Sequence, residues 1–252
     1  MTNQTHHSAN WFENGGEDYA RYRPEYPAAV VDFLASLTAE PAHALDVGCG
    51  TGQLAQLLTQ KYAQVTGLDS SSDQIKNATP HPRIHYRIAA AEHLPDDLSN
   101  INLVTVAQAA HWFDLPAFYR EVRRIAAPNA VIALISYGDL EPDSEIRARF
   151  QQFYSHEIGP FWPPERKLVD DGYAGIYFPF EEISAPKMEI RLEWDLHALM
   201  GYISTWSAVK RARDAGREDM LATFYRDISA IWGNPAERRT FVWPVNIKTG
   251  ML

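Results

Sequence analysis

From about residue 28 the chain alternates two kinds of apolar pattern. Val30, Phe33, Leu34 and Leu37 recur at helical spacing, and a short apolar run over 42–47 follows with strand character. The alternation continues through a helix with Leu54, Leu57 and Leu58 on one face, a strand at 64–69, a short helix near 72–78 and a strand at 83–88. Ile101-Asn-Leu-Val-Thr-Val106 reads as a buried strand. A helix over 115–126 carries Phe118, Val122 and Ile125 on one face, and 130–135 is a nearly all-apolar strand. Five strands separated by helices, several of them continuously apolar, predict an α/β fold: a doubly wound, mainly parallel sheet covered on both faces. Right-handed crossovers then place any ligand at the carboxyl edge of the strands.

After residue 136 the pattern changes. Segments 143–158 and 161–172 are aromatic-rich and broken by Pro160, Pro163 and Pro164. A strand near 182–193, helices near 195–210 and 217–232, and a last strand over 239–248 complete the expectation. These late elements are expected to finish the sheet and form a helical lid. Residues 1–10 read as a polar arm, followed by the aromatic and arginine-rich stretch Tyr19–Pro27.

The chain has 252 residues, 46% hydrophobic and 22% charged, which is ordinary for a globular protein with an ample core. Its 23 basic and 32 acidic residues give a net charge of −9, which disfavours a nucleic-acid partner. Cys49 is the single cysteine, so an internal disulfide and a multi-thiolate metal site are both excluded. His81 and His85 have helical i, i+4 spacing, but Pro82 and the strand-like Arg83-Ile-His-Tyr-Arg87 oppose a helix, so no metal is expected. The N-terminus lacks a signal pattern and no apolar run approaches the ~20 residues of a membrane span. The expectation is a soluble cytoplasmic protein with no membrane partner.

Chemistry concentrates in Ala44-Leu-Asp-Val-Gly-Cys-Gly-Thr-Gly-Gln53, where a strand enters a glycine turn, and in Asp69 at the end of the next strand. Glycines let backbone N–H groups approach a ligand closely, and a carboxylate at that later position can hold a ribose diol. A cofactor built on adenosine is therefore expected. The spacing Gly48-x-Gly50-x-Gly52 departs from the dinucleotide pattern G-x-G-x-x-G, and no lysine follows as in a phosphate-binding loop. Asp46 beside the turn would repel a diphosphate yet attract an ammonium. S-adenosylmethionine carries an ammonium, a sulfonium and a ribose without phosphate, so the charges favour it over NAD.

Asp46-Val-Gly-Cys-Gly-Thr-Gly52 resembles the glycine motif of class I S-adenosylmethionine-dependent methyltransferases. Tyr22-Arg-Pro-Glu-Tyr-Pro27, Ala110-His-Trp-Phe-Asp114, Thr205-Trp-Ser-Ala-Val209 and Trp243-Pro-Val-Asn-Ile-Lys-Thr-Gly250 are similar to the trans-aconitate methyltransferase-like (type 11) branch of small-molecule enzymes. The resemblance implies a seven-stranded Rossmann-like sheet in one domain over 1–252. Within it, 1–40 forms a helical cap, 41–136 the cofactor core, 137–236 a mixed lid insertion contributing to the acceptor site, and 237–252 the final strand region. It also implies methyl transfer to a small-molecule acceptor, leading with a carboxylate oxygen, and leaves S-adenosylhomocysteine as product. A monomer or homodimer would suffice.

Each residue keeps a plain alternative. Gly48 and Gly50 serve the cofactor or only a tight turn, and Asp69 binds ribose or caps the next helix, as Ser70 or Ser71 could. Asp46 meets the ammonium or braces the turn. Ala91 and Glu92 face adenine or solvent, and Gln108 stands where cofactor and acceptor meet. Tyr19 and Arg23 close over the methionine end or form an aromatic clasp. Tyr22, Trp112, Trp162 and Trp206 line the acceptor pocket or pack in the core. His111 acts as a general base or as a pocket wall. Competing functions are a methyltransferase acting on a hydroxyl or amine, one acting on RNA or protein, a non-catalytic cofactor-binding module, and an NAD-dependent oxidoreductase. No Asn/Asp-Pro-Pro-Tyr motif follows the fourth strand, where Ala107-Gln-Ala-Ala110 stands instead.

Overall fold

The computed structural model describes residues 22–252; the polar arm and Tyr19 lie outside the described residues. Pro27, with φ −68°, fixes the chain entering α1 (Ala28–Leu37), which buries Val30, Val31 and Leu34. The expected alternation follows as β1 (His43–Val47), α2 (Gln53–Leu58), β2 (Gln64–Asp69), α3 (Ser72–Lys76), β3 (Ile84–Ile88), β4 (Ile101–Ala107), α4 (Leu115–Ile125) and β5 (Ala126–Tyr137). Asp114 caps α4 by accepting the Ala117 N–H at 3.1 Å. A 3-10 turn at Ala110–Trp112 separates β4 from α4.

The sheet runs β3-β2-β1-β4-β5-β9-β6, where β6 is Glu141–Pro142 and β9 is Arg239–Met251. The first five strands are parallel, and β9 returns antiparallel to β5, with Ile132 opposite Gly250. Strand order reverses direction at β1 and β4, so a crevice opens between their carboxyl ends.

Both faces of the central strands are buried, and side chains alternate between them with the two-residue period of a strand. Ala44, Leu103, Val131, Ala133 and Ile135 join the core under α1 and α2. Leu45, Val104, Val106, Ile132 and Leu134 join the opposite core with Phe118 and Val122 of α4.

The later half differs from expectation in detail. The single strand near 182–193 is two, β7 (Glu182–Ile183) and β8 (Met188–Trp194), both pairing with β9. Pro186 stands in the gap and has no N–H for a ladder. The expected seven strands are the long ones; β6 and β7, two residues each, bring the sheet to nine. Segment 143–158 becomes α5 (Ser144–Gln152) with a π-helical turn at Phe153–Glu157, and 161–172 contains α6 (Arg166–Asp170). The helix near 195–210 divides into α7 (Leu196–Ser204) and α8 (Ser207–Asp214), while α9 (Glu218–Trp232) matches closely. These elements pack through aromatic rings, with Phe153 and Phe224 stacked at 3.9 Å between centroids.

Candidate active site

The glycine turn leaves β1 with Gly48, Gly50 and Gly52 at φ +70°, +56° and +93°. Gly48 and Cys49 donate their N–H groups to the Leu68 carbonyl at 2.7 and 2.9 Å, tying the turn to β2. Gly50 donates to Asp69 Oδ2 at 2.9 Å, and Ser71 donates to Asp69 Oδ1 at 2.8 Å. Each carboxylate oxygen retains a further lone pair, so Asp69 can organise the turn and still accept from a diol. It does not cap α3: Ser71 does, through its hydroxyl oxygen. Ser70 is exposed. A Cβ on Gly48 would lie 2.5 Å from the Ala109 side chain, whereas one on Gly50 would have 3.6 Å to its nearest neighbour. Gly48 is fixed by packing; Gly50 stands on the open edge.

Asp46 is buried at the end of β1. Its Oδ1 accepts the Thr105 hydroxyl at 2.8 Å, and its buried Oδ2 has no hydrogen-bond partner. Burial pushes its pKa up to about 7, against the pull of the Thr105 hydrogen bond and with a further push from Asp69. The residue borders a cavity with Arg23, Tyr26, Gly48, Gly50, Gln53 and Gln108. An unpaired buried acceptor costs free energy until a donor reaches it, and a cationic ammonium supplies both proton and charge. The same two carboxylates would repel a diphosphate. The residues therefore fit the sulfonium cofactor and oppose a dinucleotide.

Arg23 and Gln108 also border a second cavity, with His111, Trp112, Trp162, Pro163, Arg166 and Ser207. Gln108 holds φ +53°, a strained value for a residue with a side chain, fixed by its N–H to the Ile135 carbonyl at 2.8 Å. Its Nε2 donates to the Tyr137 carbonyl at 3.1 Å. Arg23 donates to the Tyr137 hydroxyl and the Thr205 carbonyl, both at 3.2 Å.

Arg166 donates from Nε to Asp170 at 2.8 Å and from Nη2 to Asp139 at 2.9 Å, with its guanidinium 4.8 Å from the Trp162 ring centre. Burial works against its charge, but Tyr154, Asp170, Tyr202 and Asp139 together raise its pKa. Tyr154 also bonds Asp139. His111 Nδ1 lies 2.9 Å from the Tyr173 hydroxyl. Burial, with a smaller push from Arg166, holds the imidazole pKa down to about 3.

Other expected residues stand elsewhere. The Tyr22 hydroxyl meets His197 Nε2 at 3.2 Å, and its ring covers Gly201 on α7, outside both cavities. Trp206 is buried behind Trp162, among Phe150, Phe153, Tyr154 and Tyr202. Ala91 is buried with Leu94 and Leu98, and Glu92 accepts the Asp114 N–H at 2.9 Å. Arg166, Tyr137 and Tyr173 escaped the sequence reading, which carries no local signal for them. Thr105 offered one, as a polar residue inside an apolar strand.

A family model for a methyltransferase domain matches residues 45–134, the stretch holding the glycine turn and Asp69. A Dictyostelium discoideum protein named as a methyltransferase is 32% identical over 214 residues, covering 83% of this chain and 81% of that one. A solved structure described as a type II methyltransferase from Anaeromyxobacter dehalogenans shares 39% identity, with a TM-score of 0.83 over 91% of this chain and 98% of the other. A Geobacter sulfurreducens protein named malonyl-[acyl-carrier protein] O-methyltransferase is 33% identical over 140 residues, 52% of each chain. The chain belongs to the class I S-adenosylmethionine-dependent methyltransferases. S-adenosylmethionine is its cofactor, and among the described residues no helix is long and apolar enough to cross a membrane.

Proposed function

We propose that this enzyme methylates a carboxylate oxygen of a small-molecule acceptor, forming a methyl ester. The observation that carries the reading is the donor-rich wall of the second cavity. Arg23 and Arg166 line it with His111, and the carboxylates that pair Arg166, Asp139 and Asp170, are not among its lining residues. Trp162, another wall residue, has a buried indole N–H with no partner. Such a wall favours an anionic oxygen acceptor.

Asp46 and the Gly48–Gly50 edge would hold the methionine end of the cofactor, and Asp69 the ribose. When bound, S-adenosylmethionine supplies an electrophilic methyl, whose transfer to a carboxylate yields an ester and S-adenosylhomocysteine without releasing a proton. An acceptor acid with a pKa near ~4 is already ionised at neutrality, so the reaction needs no base. A His111 held near pKa 3 would be a poor one for a phenol or amine. The protein's work is to orient the carboxylate and exclude water, with Trp112 and Trp162 as apolar walls. Likeness to the trans-aconitate branch and to the Geobacter O-methyltransferase supports the same acceptor class. The reading includes residues 137–236 as lid, action as a monomer or homodimer in the cytoplasm, and no nucleic-acid or metal partner. Incubation of metabolite extract with isotopically labelled S-adenosylmethionine tests the acceptor. Label released as methanol by mild base is expected, and label retained in base-stable ethers or amines refutes the ester.

A further inference from the structure

His111 and Tyr173 are 62 residues apart, and the packing of α6 against the 110–112 turn joins them. Arg166 begins α6, and the turn leaving it carries Gly172 and Tyr173 at φ +60° and +61°. Tyr173 donates its own N–H to the Leu168 carbonyl at 2.8 Å and is almost wholly buried. A left-handed conformation is costly for a side-chain-bearing residue, and here it delivers one phenol group to one imidazole nitrogen.

The hydrogen bonds at that phenol decide where the imidazole proton sits. A tyrosine hydroxyl has one proton and two lone pairs. Among the described residues His111 Nδ1 is the one hydrogen-bond partner of the Tyr173 hydroxyl. A buried O–H left without an acceptor is costly, so the 2.9 Å contact uses the phenol proton, and Nδ1 accepts. A neutral imidazole that accepts at Nδ1 carries its hydrogen on Nε2. His111 lines the second cavity, and Nε2 makes no bond to the described residues. The charged and titratable groups facing the ring are Tyr173 and Arg166, from α6 and its exit turn, with Arg23 across the cavity.

We propose that His111 meets the acceptor as a hydrogen-bond donor through Nε2–H, with Tyr173 the positioning residue that fixes this tautomer. The inference rests on reading the second cavity as the acceptor site. The donor fits an oxygen of the acceptor that is not being methylated, complementing the guanidinium groups. His111 then discriminates among acceptors by orientation rather than by removing a proton.

Nitrogen-15 NMR of histidine-labelled enzyme saturated with S-adenosylhomocysteine tests the tautomer directly. The expected spectrum shows His111 protonated at Nε2 alone, without titration from about pH 5 to 8. A hydrogen on Nδ1, or a midpoint near the ordinary histidine value, overturns the proposal. In Tyr173→Phe, checked for folding by thermal denaturation, the Nδ1–H form should become populated. An unchanged spectrum there overturns the positioning role, and the wild-type spectrum decides the donor if that variant does not fold.

With the acid found by the labelled-methyl experiment, His111→Ala should raise KM about tenfold, as for a hydrogen bond to a charged group. His111→Gln, whose amide N–H can take the Nε2 position, should recover most of that loss. A glutamine variant no better than alanine sinks the donor role. A base-stable product would instead remove the carboxylate reading alone and leave the tautomer result standing.

Discussion

Asp69 Oδ2 accepts the backbone N–H of Gly50 at 2.9 Å, so a residue at the end of β2 holds the crown of the glycine turn, 19 positions earlier. One carboxylate thus links the shape of the turn to the place where a ribose would be held. Asp69→Ala removes both, and affinity for S-adenosylhomocysteine should fall by about 1–3 kcal/mol, the cost of an unpaired polar site. Titration calorimetry measures it, and unchanged affinity in a folded variant would falsify the assignment.

Cofactor affinity should depend on pH through Asp46. Its pKa of about 7 means that much of the group is protonated at and below neutrality. An ammonium favours the ionised form, so affinity should weaken as pH falls from about 8 to 6, by at most about tenfold per unit. Calorimetry in buffers of different ionisation enthalpy should detect proton release on binding near pH 7. A flat affinity profile with no proton release would exclude Asp46 as the ammonium partner.

Removing that charge should exchange function for stability. Between the ordinary aspartate value and about 7, the folded chain binds more protons at Asp46 than the unfolded chain does. Stability of the cofactor-free protein therefore declines as pH rises through this window, and the penalty is complete above it. Asp46→Asn should raise cofactor-free stability at pH 8 by about 2–4 kcal/mol as an upper bound, while weakening cofactor binding. Urea denaturation at low and high pH checks the sign, and a gain confined to low pH contradicts it.

Gly48 and Gly50 share a left-handed backbone but differ in their surroundings. Gly48→Ala would press its Cβ against Ala109 and should unfold the turn, lowering the melting temperature sharply. Gly50→Ala has room, so backbone strain of roughly 1 kcal/mol should dominate, and loss of cofactor affinity should exceed loss of stability. Equal melting temperatures for the two variants would contradict this distinction.

Arg166 stands between Asp139 and Asp170 with its side chain only 17% exposed. Arg166→Met leaves both carboxylates facing Tyr154, and because each is more than a third exposed, water screens the loss to about 1–2 kcal/mol of stability. Lysine, a point charge without the planar fork, should restore only part. Denaturant unfolding of the two variants measures this, and a neutral methionine variant would show the cluster to be solvated.

The first half of the fold was legible because its signals are local. The strand over 101–106, for instance, is apolar because β4 is buried on both faces. The second half was legible only coarsely. A single strand was expected where Pro186 separates β7 from β8, and one helix where α7 and α8 divide near Thr205 and Trp206. Aromatic residues gave little guidance there. Trp162 borders a cavity while Trp206 packs behind it, although hydrophobicity alone treats the two tryptophans alike.

The sequence by itself determined the parallel core, the glycine turn with its acidic neighbours, and the charge preference for a sulfonium over a diphosphate, since each depends on residues close along the chain. Tertiary structure alone decided which groups line the second cavity. Arg23, Gln108, His111 and Arg166 come from three separate stretches and meet only when α6 packs over the 110–112 turn. It likewise decided that His111 is neutral and that Tyr173 occupies Nδ1, because desolvation and hydrogen-bond direction belong to packed surroundings and have no counterpart in residue order.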